Sequence, residues 1–289
     1  MAARPSLLPS AILLVLAGCG NMTCDQQKQE AIKHMNLGVE AANTKSFTGA
    51  EKEFALATSL DPENHKAWYS LGQVQEDQKK WDKAEQAFEN AIKYSPKDPM
   101  YQYHLGRSQY EQQKYDKARL ALEQATTLNK RLYKAYFYLG KIHAAEDRPK
   151  EAADAWTESC RLNPGFGKPF YELGKLYYQW DHPEQAVQVL QQGSANARDA
   201  EDLADIYNQL GMSYDTMKQP DKSIDAYSKA LDARKDHMQA RFQLGMAYAT
   251  KGDKANARKY LDEFLKQGGG GDPYLIQGAN DRLMKLAAE

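Results

Sequence analysis

Apolar and small residues return along this chain at a fixed interval. The dipeptide Leu-Gly stands at Leu37-Gly38, Leu71-Gly72, Leu105-Gly106, Leu139-Gly140, Leu173-Gly174, Leu210-Gly211 and Leu244-Gly245. Successive glycines are 34, 34, 34, 34, 37 and 34 residues apart. Four residues before each glycine come His34, Trp68, Gln102, Tyr136, Phe170, Tyr207 and Arg241. With the Leu, the Gly and a following Tyr position, these are spaced i, i+3, i+4, i+7, which is one face of a helix. Twelve residues after each glycine come Ala50, Ala84, Ala118, Ala152, Ala186, Ser223 and Ala257. Four further on are the bulky Phe54, Phe88, Leu122, Trp156, Leu190, Tyr227 and Leu261. That spacing predicts a second helix in every period. Gly on the first helix and Ala on the second let two backbones approach, with the bulky residue filling the space beyond. One hairpin cannot bury its own face, so neighbours must stack.

A 34-residue period carrying these residues resembles the tetratricopeptide repeat family. The resemblance implies an all-α, right-handed α-solenoid of seven helix–turn–helix repeats. They run at about 31–64, 65–98, 99–132, 133–166, 167–200, 204–237 and 238–271. Repeats one to five thus occupy 31–200, and repeats six and seven 201–271. The polar segment 196–203 absorbs the extra three residues, and the reading is that it lengthens a helix. Pro149, Pro183 and Pro220 fall where the second helix begins, a position that needs no N–H donor. Repeat seven departs most, with Arg241 and Phe264 at core positions. After the glycine run 268–271, read as a linker, Asp272-Pro273 reads as N-cap and first turn. Leu275, Ala279, Leu283 and Leu286 follow at helical spacing, so 272–289 is expected to cap the last repeat.

Residues 1–18 form a separate object. Arg4 precedes an uncharged, apolar run from Leu7 to Ala17, too short to span a bilayer and of signal-peptide length. It ends in Leu16-Ala17-Gly18-Cys19, which resembles the lipobox of bacterial lipoproteins. The resemblance implies cleavage after Gly18 and acylation of Cys19, with 19–30 as acylated N-terminus and tether. Gly20 and Asn21 follow with no Asp, which by the enterobacterial rule implies the periplasmic face of the outer membrane. Cys24 and Cys160 remain; Cys160 falls inside a predicted helix and reads as a small buried residue.

Composition removes most alternatives. Lys plus Arg total 38 and Asp plus Glu 39, so no basic excess points to nucleic acid. His34, His65, His104, His143, His182 and His237 each take a different position within their repeat, which scatters them. No Walker loop, Gly-x-Gly-x-x-Gly, His-Glu-x-x-His, Cys-x-x-Cys or Gly-x-Ser-x-Gly is present. The expectation is no enzyme, no metal, no cofactor and no small-molecule substrate.

The informative surface is the concave one, lined by first-helix positions turned away from the helix seam. In repeats two to five these are Tyr69, Tyr103, His104, Arg107, Tyr110, Lys134, Phe137, Tyr138, Lys141, Lys168, Tyr171, Lys175 and Tyr178. Tyr and Arg anchor interfaces, and cations beside rings suit a partner segment bearing carboxylates. The family's carboxylate clamp needs paired Lys and Asn; here Asn36 and Lys134 stand alone, opposite Val39, Gln73 and Tyr138, so the clamp is not carried over. The function expected is a lipid-anchored adaptor for other envelope proteins. It would assist a multiprotein machine such as a type IV pilus secretin, a gliding-motility or a secretion complex. The alternative is a regulator that docks murein hydrolases or proteases. Replacing the acylated thiol, Cys19→Ser, is expected to abolish palmitate labelling and membrane retention, while Cys24→Ser leaves both intact; equal labelling of the Cys19 variant would refute the anchor.

Overall fold

The computed structural model describes residues 22–288. The signal segment, Cys19, Gly20 and Asn21 lie outside the described residues. Among the described residues there are fifteen α-helices and no strand. No helix among them is long and apolar enough to cross a membrane. Seven consecutive pairs carry the repeats: α1 (Cys24–Asn43) with α2 (Phe47–Leu60), α3 (His65–Asp77) with α4 (Trp81–Tyr94), and α5 (Pro99–Glu111) with α6 (Tyr115–Leu128). Next come α7 (Tyr133–Ala145) with α8 (Pro149–Leu162), α9 (Lys168–Gln179) with α10 (Pro183–Asn196), and α11 (Ala200–Thr216) with α12 (Pro220–Ala233). The series closes with α13 (Met238–Lys251) and α14 (Lys254–Lys266), a turn at Gly268–Gly271, and α15 (Pro273–Ala288). The chain falls into two compact units, Met1–Tyr138 and Leu139–Glu289.

The pairing within each hairpin has one recurrent cause. A side-chain carbon added at Gly38, Gly72, Gly106, Gly140, Gly174, Gly211 or Gly245 would come within 2.8 Å of Phe54, Phe88, Leu122, Trp156, Leu190, Tyr227 or Leu261, respectively. Real carbons do not approach so closely, so each glycine is the floor on which its partner's bulky group rests. All seven bulky residues are at most 3% exposed. The sequence expectation assigned the close approach to Gly and Ala backbones, with the bulky residue beyond it. The structure sets the bulky residue directly over the glycine, and Ala118 contributes its carbonyl oxygen, 3.0 Å from such a carbon on Gly106.

The turn inside each hairpin is equally regular. Lys45, Lys79, Gln113, Asp147, Asp181, Lys218 and Gly252 all have positive φ, between 56° and 88°. In the second repeat Lys79 N donates to Glu76 O and Lys80 N to Gln75 O, each at 2.8 Å. This double bond satisfies the last carbonyls of the first helix and reverses the chain. A left-handed residue other than glycine is strained by about 1–2 kcal/mol, yet six of these seven turns hold one.

Neighbouring repeats in the first unit are stapled by carboxylates, half-buried at Glu51 and buried at Glu85. Glu51 on α2 accepts from Lys80 at 2.5 Å, Gln78 at 3.1 Å and Gln75 at 3.4 Å. Glu85 on α4 repeats the arrangement one period later, with Lys114 at 2.6 Å, Gln112 at 2.9 Å and Gln109 at 3.1 Å. Burial alone raises a carboxyl pKa, but these donors together outweigh it and hold both groups below the usual glutamate range.

In the second unit the three extra residues do lengthen a helix. α11 has 17 residues, starts after an Asp199 cap, and sends Asp202 back to accept from the Gly167 amide at 3.1 Å. Pro149, Pro183 and Pro220 open α8, α10 and α12. Phe264 is fully buried against Phe242, Leu261 and Ala279. Arg241 is buried too, with its guanidinium donating to Gln267 and to the Lys235 carbonyl. α15 rests on α13 and α14 through Leu275, Ala279, Leu283 and Leu286, and Asp272 caps it by accepting from Tyr274 and Leu275 amides at 2.9 and 3.3 Å. The glycine run is not a slack linker. All four residues have φ between 59° and 78°, a left-handed turn that only glycine makes without strain. At the other end, α1 begins at Cys24 inside a capping box closed by Thr23 and Gln26, so helix extends upstream of residue 31.

Two predictions test this packing. Gly106→Ala and Ala118→Leu should each destabilise the fold by about 1–3 kcal/mol through overpacking; an unchanged denaturant midpoint for both would refute the register. The depressed carboxyls set a sign for acid. Their stabilisation is complete above the unfolded glutamate value, about 4.3, and is lost as pH falls through the lower folded value. Melting temperature measured from neutral to acid pH should therefore fall more steeply for the native protein than for Glu85→Gln, and parallel curves would show that the staple carries no linkage.

Candidate partner-binding site

Side chains that leave the helix seam on α3, α5, α7 and α9 are those the sequence marks for partner contact. The structure sorts them into exposed and buried sets. In the first unit Tyr103, His104 and Phe137 are buried. Tyr69, Arg107, Tyr110 and Tyr138 are half-buried, and Lys134 is exposed. The rings lie against one another. Tyr69 lies 4.8 Å from Tyr101 and 5.3 Å from His104, and Tyr110 lies 5.4 Å from Tyr138, centroid to centroid. Such edge and tilted contacts turn much of the predicted aromatic surface into core. Burial, then the Asp98 and Glu76 carboxylates, pushes the Tyr69 phenol up to about 12. Burial raises Tyr103 further, with Tyr138 adding to it. Both stay neutral hydrogen-bonding groups.

Beneath these rings lies a polar knot. Glu76 is buried near the end of α3, at a position occupied by Ala or Tyr in most other repeats. Its carboxylate accepts from His104 Nδ1 at 2.6 Å and Ser108 Oγ at 3.0 Å, and Arg107 Nη1 lies 3.5 Å away. A carboxylate only accepts, so the short contact places the proton on His104 Nδ1. Arg107 also lies over the Trp81 ring, 5.9 Å from its centroid. The guanidinium expected to face a partner is thus held by an internal acid. Its pKa is raised: burial lowers it, and the negative groups around it, Glu76 first, overcome that. Beside the knot opens a pocket of about 390 Å³, walled by Val39, Ala42 and Val74 and rimmed by Asn43, Ser70, Gln73 and Asp77.

The second unit carries a different face. On α9, Lys168 is exposed, and Tyr171, Lys175 and Tyr178 are half-buried, one helical turn or two apart. Lys175 Nζ lies 6.0 Å from the Tyr171 ring centroid. Burial raises the Tyr171 phenol, and Glu172 and Asp205 add to that. Lys141, on α7, is half-exposed and engaged with neighbours. On α9 the cation-beside-ring pattern keeps an exposed lysine, Lys168, while Tyr171 and Tyr178, half-buried like Tyr69 and Tyr138, also pack against the core of their unit.

Sequence reasoning missed the use made of Glu76, Ser108 and Trp81. A carboxylate at a normally apolar repeat position, followed one repeat on by His104 and Ser108, was the available signal. Lys114 stands in the turn between α5 and α6. It donates to Glu85, because the turn of one repeat meets the second helix of the previous one. Cys24 and Cys160 are free thiols, Cys24 exposed and Cys160 buried. Burial pushes the Cys160 thiol up to about 12, which keeps it protonated and inert. The described residues hold no group of three or more acidic, His or Cys side chains placed to bind a metal.

Known proteins agree with this architecture. Sequence models of the tetratricopeptide repeat match residues 65–98, 103–165 and 208–273, together more than half of the chain. No curated protein matches this sequence. Among solved structures, pilF of Pseudomonas aeruginosa is 16% identical with a TM-score of 0.62, over 74% of this chain and 96% of that one. A tetratricopeptide repeat protein of Parabacteroides merdae is 14% identical with a TM-score of 0.61, over 90% of this chain and 100% of its own. YrrB, described as a protein of the same repeat with an unusual peptide-binding site, is 21% identical with a TM-score of 0.53, over 68% and 98%. Seven helical hairpins with glycine under a bulky partner in each, matched by these models over most of their length, place the chain in the tetratricopeptide repeat family.

Proposed function

We propose that this protein is a lipid-anchored adaptor that holds other envelope proteins on the first-helix faces of its repeats. The tetratricopeptide fold supports a protein–protein interaction scaffold, and proteins of this fold are generally not catalysts. The single observation that carries the reading further is α9, where exposed Lys168 and half-buried Tyr171, Lys175 and Tyr178 share one helix with a cation beside a ring. Rings supply contact area at low entropic cost and lysines supply direction, so this face suits an acidic segment of a partner. YrrB, a neighbour in fold, is described as having a peptide-binding site, which supports the same use here. The membrane part of the proposal rests on the Leu16-Ala17-Gly18-Cys19 run and on the stable anchoring that more than one acyl chain gives. In the envelope such an adaptor would serve a multiprotein machine, of the kind that assembles pilus secretins, gliding motors or secretion complexes.

Lys168→Glu combined with Lys175→Glu should lower partner recovery from solubilised envelope by about tenfold, with the melting curve unchanged. Recovery by the native protein should also fall as salt rises, since screening acts over about 8 Å at physiological strength. Lys150→Glu, an exposed residue at the start of α8, should change neither. Loss of the partner with the Lys150 variant and its retention with the α9 variant would move the binding face to the turn edge of the hairpins.

A further inference from the structure

The first unit carries a pocket whose basic side chains are already engaged by an acid of the protein itself. In α5, Arg107 and His104 read as cations awaiting an acidic partner. In the structure both are turned onto Glu76, which takes His104 at 2.6 Å, Ser108 at 3.0 Å and Arg107 at 3.5 Å. The carboxylate that a partner would bring is already present as a side chain of the protein. Asp77, the next residue, is exposed on the same rim and forms no ion pair. Glu76 and Asp77 thus bring two carboxylates to the pocket, and Arg107 is already turned onto the first of them. A further carboxylate entering there meets two like charges within one helical turn and a guanidinium that is already neutralised.

The rest of the lining is consistent with that sign. The wall is aliphatic, from Val39 and Val74, and Val39 is 44% exposed. Ile32, two turns earlier on the same face of α1, is 50% exposed. Contiguous exposed aliphatic surface beside a concavity is the kind of surface that marks interaction sites. Asn43 and Ser70 stand on the rim with neutral hydrogen-bonding groups.

We infer that this pocket, deepening the adaptor reading and resting on it, takes a polypeptide segment that presents an aliphatic side chain beside a Lys or Arg, and that it turns away acidic segments because Glu76 already occupies the carboxylate position. The aliphatic group lies against Val39 and Val74, and the cation meets Asp77. Glu76 is thereby a specificity-determining residue: it does not touch the partner's chain, but it sets the charge of the pocket floor. This face and the cationic one on α9 then select different chemistries on one protein.

Selection of a random-peptide display library on the full chain tests this. Peptides recovered by the native protein and lost by at least about tenfold on Val39→Asp should be rich in Lys or Arg beside aliphatics. Glu76→Gln keeps one oxygen for His104 to donate to and turns its amide N–H toward Ser108 Oγ, which can accept, but frees the charge of Arg107. It should shift the recovered set toward Asp and Glu, and its melting curve should stay close to that of the native protein. Acidic winners on the native pocket, or a recovered set indifferent to both Val39→Asp and Glu76→Gln, overturn the inference. If those indifferent peptides are lost with Lys168→Glu and Lys175→Glu, the adaptor reading stands while this one fails. If no peptide is enriched on any version of the chain, both fail. Should Glu76→Gln unfold the protein, Asp77→Lys decides alone: it sits on the exposed rim and should reduce recovery of the basic peptides by about tenfold.

Discussion

The architecture depends on the absence of one carbon atom, repeated seven times. Each first helix offers a glycine, and the second helix of the same hairpin lays Phe, Leu, Trp or Tyr directly over it. Two helices bearing ordinary side chains pack about 8–10 Å apart, and a bulky group then separates them further. Removing the carbon lets a ring or a leucine lie flat against backbone and excludes water from the whole seam. The bulky residue varies freely in shape, from Leu122 to Trp156, because the glycine floor makes no demand on the contour above it. Where the ring carries a hydroxyl, as in Tyr227, the oxygen reaches the Asp215 carboxylate at 2.7 Å, and burial with that negative neighbour raises its pKa. The close seam also requires a sharp reversal between the helices, and the left-handed residue in every turn supplies it at a strain that the packing offsets.

Charge in this molecule is spent mostly on itself. Glu51 and Glu85 tie successive repeats of the first unit together through the same lysine-and-glutamine geometry. Glu76 gathers a histidine, a serine and an arginine. A buried carboxylate is tolerated only when donors surround it, and the repeat places donors there because equivalent helix ends return every period. The near-zero net charge of the chain therefore says little about its local surfaces. One face keeps cations beside rings, and another has its arginine and histidine already turned onto an internal acid.

The two ends of the array differ in how exposed helix surface is handled. α15 begins on a left-handed glycine turn, with Gly269 lying against Ile276 and Phe264, and covers α13 and α14 with Leu275, Ala279, Leu283 and Leu286. Ala279 stands 34 residues after Gly245, in the place of an eighth repeat glycine. Among the described residues α1 has no such cover: Leu37, whose counterparts at Leu71, Leu139, Leu173, Leu210 and Leu244 are buried, is 42% exposed. Beside it Lys33 and Glu40 keep that surface wettable.

The sequence by itself determined the number of hairpins, their boundaries to within a few residues, the longer helix after 196, the prolines that open α8, α10 and α12, and the helix after residue 272. All of these follow from short-range periodicity and local backbone chemistry, which a linear pattern encodes directly. It also marked the residues that leave the helix seam. Only the tertiary structure decided which of them a partner can reach. Tyr103, His104 and Phe137 share their helix face with Tyr69 and Lys134, yet they are buried because neighbouring helices bring other rings against them. Arg107 is neutralised by a carboxylate from the preceding repeat, and Lys114 by one on the preceding second helix. The glycine run is a turn and not a linker because Ile276 and Phe264 close on it. Each of these outcomes depends on side chains roughly a full repeat apart in sequence and a few ångströms apart in space, a juxtaposition that depends on side-chain direction and packing and that no spacing rule along one helix contains.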